Sequence, residues 1–205
     1  MQRTRFYLVR HGQVEGYQEK RYNGQSNVAL TELGQEQSDR VSACLSATAL
    51  DAVYSSDLGR SRYCAGLIAE GHGLAVVAEQ ALREINFGDW EGRTWVELQK
   101  AYPQDWQRRL QDLTNYQVPG GESLQQAADR IRPMIRRILE KHPGGDVALV
   151  AHGGVNRIIL LDAIGAALEQ AFSLEQDYGC LNIIDYLDGG HSVVRLLNGT
   201  AHLKR

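Results

Sequence analysis

The sequence has few cysteines and little net charge. Its three cysteines, Cys44, Cys64 and Cys180, lack the spacing of metal ligands and cannot all pair internally. This pattern argues against a disulfide-stapled secreted domain. The net charge of -3 offers no electrostatic footprint for nucleic acid or for anionic membranes. We therefore expect a cytoplasmic protein that has no nucleic-acid partner.

Long hydrophobic runs, linkers and repeats are also missing. No apolar stretch approaches the roughly 20 residues that span a bilayer, and residues 1–5 lead into a strand with no sign of a signal peptide. We therefore expect no membrane partner. With 205 residues, 43% of them hydrophobic, the chain is long enough to bury a substantial core. We expect one domain, residues 1–205.

The first informative segment is residues 6–12, an apolar run that ends in Arg10, His11 and Gly12. A short hydrophobic run that ends at a glycine is typical of a buried strand. Open α/β sheets place their sites just beyond the carboxyl ends of such strands. The three residue types suit phosphate chemistry, because they supply a cationic fork, a nucleophile near neutral pH and close backbone approach.

A second segment, residues 146–154, repeats this design. An apolar run is followed by His152, Gly153 and Gly154, and then by a helical pattern. Either histidine alone could be an ordinary strand-end residue. Two histidines with the same flanking residues favour a shared crevice, across which the two rings face one another.

Two further segments carry charged groups. Residues 55–61 follow a strand candidate and open a helix, so Arg60 lies near a helix N-terminus, which attracts anions. Residues 82–92 place Glu84 among large apolar side chains, where a carboxyl group could act as a general acid. Taken singly, Arg60 could be a surface cation and Glu84 a solvated carboxylate.

Strand and helix patterns alternate along the chain. The predicted strands are 6–9, 52–55, 74–78 and 147–151, followed by a closing hairpin of 180–186 and 192–197. The predicted helices are 31–47, 58–70, 95–111, one that begins at Leu124, and 155–164. Pro103 should break the third of these, and Pro133 should either kink the fourth or move its start to a later residue. This alternation predicts an α/β fold, with helices on both faces of a mainly parallel sheet that has an antiparallel edge.

Together, these segments resemble the histidine phosphatase superfamily, also called the phosphoglycerate mutase-like family. The resemblance is carried by Arg10-His11-Gly12, Ser55 to Arg60, Leu82 to Gly92, and His152 to Gly154, in the family's order. Residues 30–37 and 119–123 match as well, the latter being similar to an element of the smaller phosphatases. The resemblance implies a three-layer α/β/α sandwich and a small phosphatase similar to α-ribazole phosphatase.

The resemblance also implies a role for each matching residue. His11 would be the nucleophile that forms a phosphohistidine, and Glu84 would be the general acid and base. Arg10, Arg60 and His152 would bind the phosphoryl group, so that no metal or other cofactor is required. The expected reaction is hydrolysis of a small phosphomonoester, either α-ribazole 5′-phosphate or a broad set of organic phosphates.

The loop that follows His11 departs from the family pattern. Val14 and Tyr17 stand where many members have Thr or Ser and Asn, so the usual phosphate contacts of those two side chains are lost. Asn23 and Gly24 stand at substrate-contacting positions and, with Gly153, are the expected substrate-binding residues. We infer a pocket rim rebuilt with aromatic groups, which suits an organic phosphate larger than phosphoglycerate.

Several other residues have structural or pocket-lining interpretations. Arg157 is interpreted as structural, and Arg21 could line the pocket rim or be solvated. Trp106, Arg108 and Arg109 belong to the variable segment that covers the pocket in this family, where substrate specificity could reside.

Two alternatives to a phosphatase stay open. A cofactor-dependent phosphoglycerate mutase carries extra residues before its second histidine and reads Gly-Asn after it, whereas this chain is shorter there and reads Gly153-Gly154. A non-catalytic phosphate-binding member would have lost part of the core set of residues, which is complete here. The expected partner is a small phosphorylated metabolite, and a homodimer is left open.

Overall fold

The computed structural model describes residues 2–204, in which six strands form one mixed sheet. The strands are β1 Arg3–Arg10, β2 Ala52–Ser56, β3 Val76–Glu79, β4 Asp146–Ala151, β5 Leu181–Leu187 and β6 Ser192–Gly199. Their spatial order is β3-β2-β4-β1-β5-β6. The first strand of the chain therefore lies beside the fourth, near the middle of the sheet.

Four strands are parallel, and the closing hairpin runs against them. β1 pairs with β4 from Arg5 opposite Asp146 to Arg10 opposite Ala151. β4 pairs with β2, and β2 with β3, in the same parallel sense. On its other side β1 pairs with the antiparallel β5, and β6 forms the antiparallel edge. The predicted sheet is confirmed.

The described residues form six α-helices. They are α1 Glu32–Leu45, α2 Gly59–His72, α3 Trp95–Ala101, α4 Pro103–Gln111, α5 Leu124–Lys141 and α6 Gly153–Ile164. The break that Pro103 predicts separates α3 from α4. α1 ends two residues earlier than predicted. The Ser46 hydroxyl donates to the Ala43 carbonyl oxygen (2.8 Å), a local bond that competes with continuing the helix.

Side-chain caps begin three of the described helices, those that follow Thr31, Thr94 and Ser123. The Thr31 hydroxyl accepts a hydrogen bond from the Gly34 N–H, and Ser123 exchanges two such bonds with Gln126 in a capping box. α5 begins at Leu124, so the later start that Pro133 suggested is wrong. Pro133 lies on the exposed side of α5, and burial of the apolar stripe on the other side offsets the lost backbone bond.

Helices cover both faces of the sheet. Along β1, Phe6 and Leu8 join the core on one face, whereas Tyr7 and Val9 join the core on the other. Residues of α5 and α6 pack in the first core and residues of α1 and α2 in the second. The three-layer α/β/α sandwich is confirmed, and the carboxyl ends of β1, β2 and β4 meet at one end of it.

Aromatic side chains attach the segment of α3 and α4 to the rest of the chain. Trp106 of α4 stacks on Trp90 with a ring separation of 6.0 Å, and Tyr22 packs on Phe87 at 4.3 Å. Trp90 is buried and belongs to the core.

The structure shows no disulfide and no membrane-spanning helix among residues 2–204. The three cysteines are free, and burial raises the pKa of the Cys64 thiol to about 12. Cys64 of α2 is therefore a protonated thiol within the core. None of the helices described within residues 2–204 is long and apolar enough to cross a membrane.

Candidate active site

The two motif histidines lie side by side at the carboxyl ends of β1 and β4. Because Arg10 pairs with Ala151 across these strands, the residues that follow them, His11 and His152, leave the sheet at the same point. The ring centroids of His11 and His152 are 5.0 Å apart, with the planes at 65°. Both residues are buried, with 4% and 0% of their surface exposed. The predicted convergence of the two histidines is therefore observed.

The backbone fixes the tautomer of His11. Its Nδ1 lies 2.7 Å from the Gly12 carbonyl oxygen, which can only accept, so Nδ1 carries the proton and Nε2 keeps a free lone pair. Burial lowers the pKa of His11 well below its usual value, and the charges of Arg60 and Arg10 lower it further. The ring is therefore neutral and nucleophilic at neutral pH.

His152 stands at the N-terminus of α6, next to His11. Its Nε2 lies 3.3 Å from the Ser61 hydroxyl, while its buried Nδ1 has no hydrogen-bond partner among residues 2–204. Burial lowers the pKa of His152, and the neighbouring His11 and Arg60 add to the effect. One polar atom of this ring is thus unused by the protein itself.

Two arginines bring positive charge to His11. Arg10 lies over the Tyr178 ring at 3.8 Å and donates to the Gln176 carbonyl oxygen. Arg60, which is buried, donates to the carbonyl oxygens of Gly24 (2.6 Å) and Ser26 (2.7 Å). Burial lowers the pKa of Arg60, yet a guanidinium keeps its proton in proteins. Both cations are held beside His11 by backbone carbonyls.

Glu84 is held at the start of α6. Its Oε2 accepts a hydrogen bond from the Gly154 N–H (3.1 Å), and its Oε1 accepts one from the Ile85 N–H (2.9 Å). The helix N-terminus adds an electrostatic attraction for the carboxylate. Arg130 donates to the Glu84 carbonyl oxygen (3.0 Å) and pairs with Glu122 (2.7 Å), which ties the 119–123 motif to Glu84.

A cavity of about 210 Å³ connects these groups. Seven of the predicted site residues line it, namely Arg10, His11, Asn23, Gly24, Arg60, Glu84 and Gly153. His152, the eighth predicted site residue, is not among the lining residues. Of the two positions that depart from the family, Val14 lines the cavity, whereas Tyr17 does not. The catalytic and binding roles of these residues stay predictions.

Glu91 positions the loop that carries Asn23 and Gly24. Its carboxylate accepts hydrogen bonds from the Gln25 N–H (2.8 Å) and the Ser26 hydroxyl (2.7 Å). A Cβ atom on Gly24, whose φ is +45°, would overlap this carboxylate. The same loop supplies the carbonyl oxygens that hold Arg60, so Glu91 acts on the site through the loop.

Two cavity residues are not identified correctly by the sequence patterns. Tyr178, whose ring is 5.7 Å from that of His11, has no local motif that signals it. The structural interpretation of Arg157 is incomplete, because Arg157 lines the cavity while its Nε donates to the Leu174 carbonyl oxygen (2.7 Å). A helical spacing could have found it: Arg157 is four residues after Gly153, and such residues share one helix face.

A larger cavity, about 700 Å³, lies at the opposite end of the sheet and contains none of the predicted site residues. Across residues 2–204, no three His, Cys, Asp or Glu side chains are grouped as metal ligands would be. The cationic side chains that line the small cavity are arginines.

Comparison with known proteins identifies the family. The model of the histidine phosphatase superfamily (branch 1) matches residues 6–199. Phosphoserine phosphatase 1 of Hydrogenobacter thermophilus is 30% identical over 200 residues, which cover 98% of this chain and 94% of that protein. Bifunctional protein Rv2228c of Mycobacterium tuberculosis is 35% identical over 201 residues, which cover 98% of this chain and 55% of that protein. The chain thus spans about half the length of such mycobacterial relatives.

A solved crystal structure has a similar fold. The crystal structure of the alpha-ribazole phosphatase from Shigella flexneri is similar at a TM-score of 0.88 and 28% identity. The similarity covers 96% of this chain and 97% of that chain. Together with the family match over residues 6–199, it identifies the chain as a member of the histidine phosphatase superfamily, branch 1.

Proposed function

We propose that this chain hydrolyses a small phosphomonoester through a phosphohistidine on His11. The observation that carries the proposal is the tautomer of His11: Nδ1 donates to Gly12, so Nε2 is free to attack. A neutral imidazole beside two guanidinium groups is suited to a dianionic phosphoryl group. The phosphatase names among the relatives support the same reaction class.

The reaction has two steps. In the first, His11 Nε2 attacks phosphorus, the bond from phosphorus to the ester oxygen breaks, and Glu84 protonates the departing oxygen. In the second, Glu84 takes a proton from water, the water oxygen attacks phosphorus, and the bond from Nε2 to phosphorus breaks. Inorganic phosphate leaves, and His11 is neutral again.

The cationic groups stabilise the transition state of both steps. Arg10 and Arg60 face the charge that spreads over the phosphoryl oxygens. His152 is the third phosphoryl-binding residue of the proposal: its neutral ring adjoins His11, and its Nδ1 has no partner among residues 2–204. Asn23 and Gly24, held by the Glu91 loop, and Gly153 contact the rest of the substrate. Because arginines supply the positive charge, we propose that the reaction requires no metal ion.

The substrate is a phosphorylated metabolite of modest size. A cavity of about 210 Å³ admits a small organic phosphate but not a polymer. Phosphoserine and α-ribazole 5′-phosphate are the first candidates, because relatives and structural neighbours carry those names. We propose a cytoplasmic location, which the three free cysteines support. A homodimer stays a prediction.

A phosphate-release assay over a panel of metabolites, with and without EDTA, tests this function. We expect release from at least one monoester, unchanged by EDTA, and a loss on the order of 10⁴-fold in H11A. H191A, which alters an exposed turn residue, is the matched control. Full activity of H11A, or activity that EDTA abolishes, would refute the proposal. Interconversion of phosphoglycerates without net phosphate release, after priming with bisphosphoglycerate, would indicate a mutase.

A further inference from the structure

The Arg10 side chain is held by few contacts, although it stands beside His11. Within residues 2–204 it donates one hydrogen bond, from Nη1 to the Gln176 carbonyl oxygen, and its guanidinium lies over the Tyr178 ring at 3.8 Å. Its buried Nε has no partner in the same range. A guanidinium carries five N–H groups, so most of its donors stay free for a ligand. The direction in which those donors point therefore depends on residues 176–178.

A cluster of buried amides fixes this segment. Gln176 Nε2 donates to Asn182 Oδ1 (2.8 Å), and Asn182 Nδ2 donates in return to Gln176 Oε1 (2.9 Å). A third amide, that of Asn156 on α6, lies 3.2 Å from Gln176 Oε1. All three residues are 0% exposed. The Gln176 side chain is therefore tied both to β5 and to α6.

The same cluster reaches the strand that carries Arg10. Asn182 Nδ2 also donates to the Leu8 carbonyl oxygen (3.1 Å), and Asn182 lies opposite Leu8 in the pairing of β5 with β1. Leu8 precedes Arg10 by two residues on β1. Asn182 thus connects the two partners of the Arg10–Gln176 contact, because its amide holds Gln176 and its strand holds β1.

Core packing alone does not require these amides. An apolar pair of the same shape would fill the space with little or no loss of stability, whereas a buried amide without its partner is costly. Hydrogen bonds have a preferred length and direction, so a fully paired buried amide allows one arrangement of its neighbours. The cluster is therefore suited to fixing the position of the segment that contacts Arg10.

We propose that Gln176 is a positioning residue for Arg10: its side chain, paired with that of Asn182, fixes the carbonyl oxygen that orients the Arg10 guanidinium. Loss of the amide should let residues 174–178 shift, and the guanidinium should move with the carbonyl oxygen to which it donates. This inference rests on the proposed function, because it takes Arg10 as a residue that binds the phosphoryl group.

A double-mutant cycle tests the inference. The value of kcat/KM for 4-nitrophenyl phosphate is measured for wild type, Q176M, R10A and the double variant Q176M/R10A. R10A alone should lose about 10²- to 10³-fold. Methionine keeps the length of glutamine but lacks the amide, so Q176M should lose about 10- to 100-fold when Arg10 is present. In R10A the same change should cost about 2-fold or less, because no guanidinium is left to misplace.

Two further variants secure the comparison. Q170M is the matched control, because Gln170 is an exposed glutamine in the same connection between α6 and β5. It should keep wild-type kcat/KM. Q176M/N182L leaves neither amide of the pair without its partner, and it carries the test if Q176M fails to fold. Its loss of activity should likewise depend on Arg10, and chemical denaturation establishes that each variant is folded.

The outcomes separate this inference from the proposed function. An equal loss from Q176M in wild type and in R10A, or wild-type kcat/KM in Q176M, would overturn the role of Gln176 and leave the phosphatase proposal intact. Failure of both Q176M and Q176M/N182L to fold would show that the amides are structural and would overturn it as well. Wild-type kcat/KM in R10A would remove Arg10 from the phosphoryl site, which contradicts the proposed function and this inference together.

Discussion

The rings of His11 and His152 lie 5.0 Å apart, although one residue follows the first strand and the other follows the fourth. The parallel pairing of β1 with β4 produces this contact, because it ends both strands at the same level of the sheet. The contact buries two imidazoles beside Arg10 and Arg60. Burial, with the positive neighbours adding to its effect, keeps both rings neutral, which is the form that a nucleophile needs.

The free energy of unfolding should decrease as the pH drops below 6.5, because two histidines are buried. Their pKa values are lowered in the folded chain, mainly by burial, whereas in the unfolded chain they return to about the usual value of 6.5. Below that pH the unfolded state binds more protons, so the free energy of unfolding decreases as pH falls. Each histidine contributes up to about 1.4 kcal/mol per pH unit in this window. Chemical denaturation between pH 7.5 and pH 5, a range of about 2.5 units, measures the slope.

A single replacement assigns this slope. H152N removes one of the two groups and should flatten the dependence, whereas H191A changes an exposed residue and should not. Equal slopes for wild type and H152N between pH 6.5 and pH 5, the window that the lowered pKa values define, would contradict the assignment.

Loss of the Glu84 carboxyl group should affect substrates according to their leaving groups. E84Q should slow hydrolysis of an alkyl phosphate by about 10²- to 10⁴-fold, because the alkoxide leaves without a proton. 4-Nitrophenolate leaves without such a proton, so the first step should keep its rate. Only the second step, hydrolysis of the phosphohistidine, should slow. Stopped-flow absorbance should then show a burst of nitrophenolate approaching one per chain. E140Q, at an exposed position of α5, is the control, and an equal loss on both substrates without a burst would count against Glu84.

Adding a methyl group at Gly154 should displace Glu84. A Cβ atom there would lie 2.5 Å from Glu84 Oε1 and 2.6 Å from the Ile85 side chain. Misplacement of a catalytic group by about 1 Å can cost about 10²-fold, and we expect that loss of kcat/KM in G154A. A Cβ atom on Gly66 would meet no neighbouring atom within 4 Å, so G66A should keep full activity and gain about 0.5–1 kcal/mol in α2. Wild-type kcat/KM in G154A would show that Glu84 is not held as described.

Local patterns account for much of the fold and of the site. The apolar runs before His11 and His152 and the turn at residues 188–190 predict β1, β4 and the closing hairpin, because each depends on neighbours in sequence. The third strand is less well predicted: the pattern indicates residues 74–78, and Val76–Glu79 is found. Its limits depend on pairing with β2, which no local pattern contains.

The remainder of the site depends on contacts between distant parts of the chain. Tyr178 reaches Arg10 because β5 pairs with β1, and Arg109 reaches Tyr22 and Phe87 because α4 packs across the motif segments. Neither contact follows from spacing along the sequence. Pro133 shows the same effect on secondary structure, since tertiary burial of α5 outweighs a local helix-breaking signal.

The most direct test is to locate the phosphoryl group on the enzyme during turnover. Wild type is mixed with 4-nitrophenyl phosphate, quenched in alkali within milliseconds to preserve phosphohistidine, digested and analysed by mass spectrometry. The account predicts phosphate on the peptide that contains His11, at the histidine, and none in H11A. Phosphate on His152, or continued turnover with no phosphorylated histidine at any time, would contradict it.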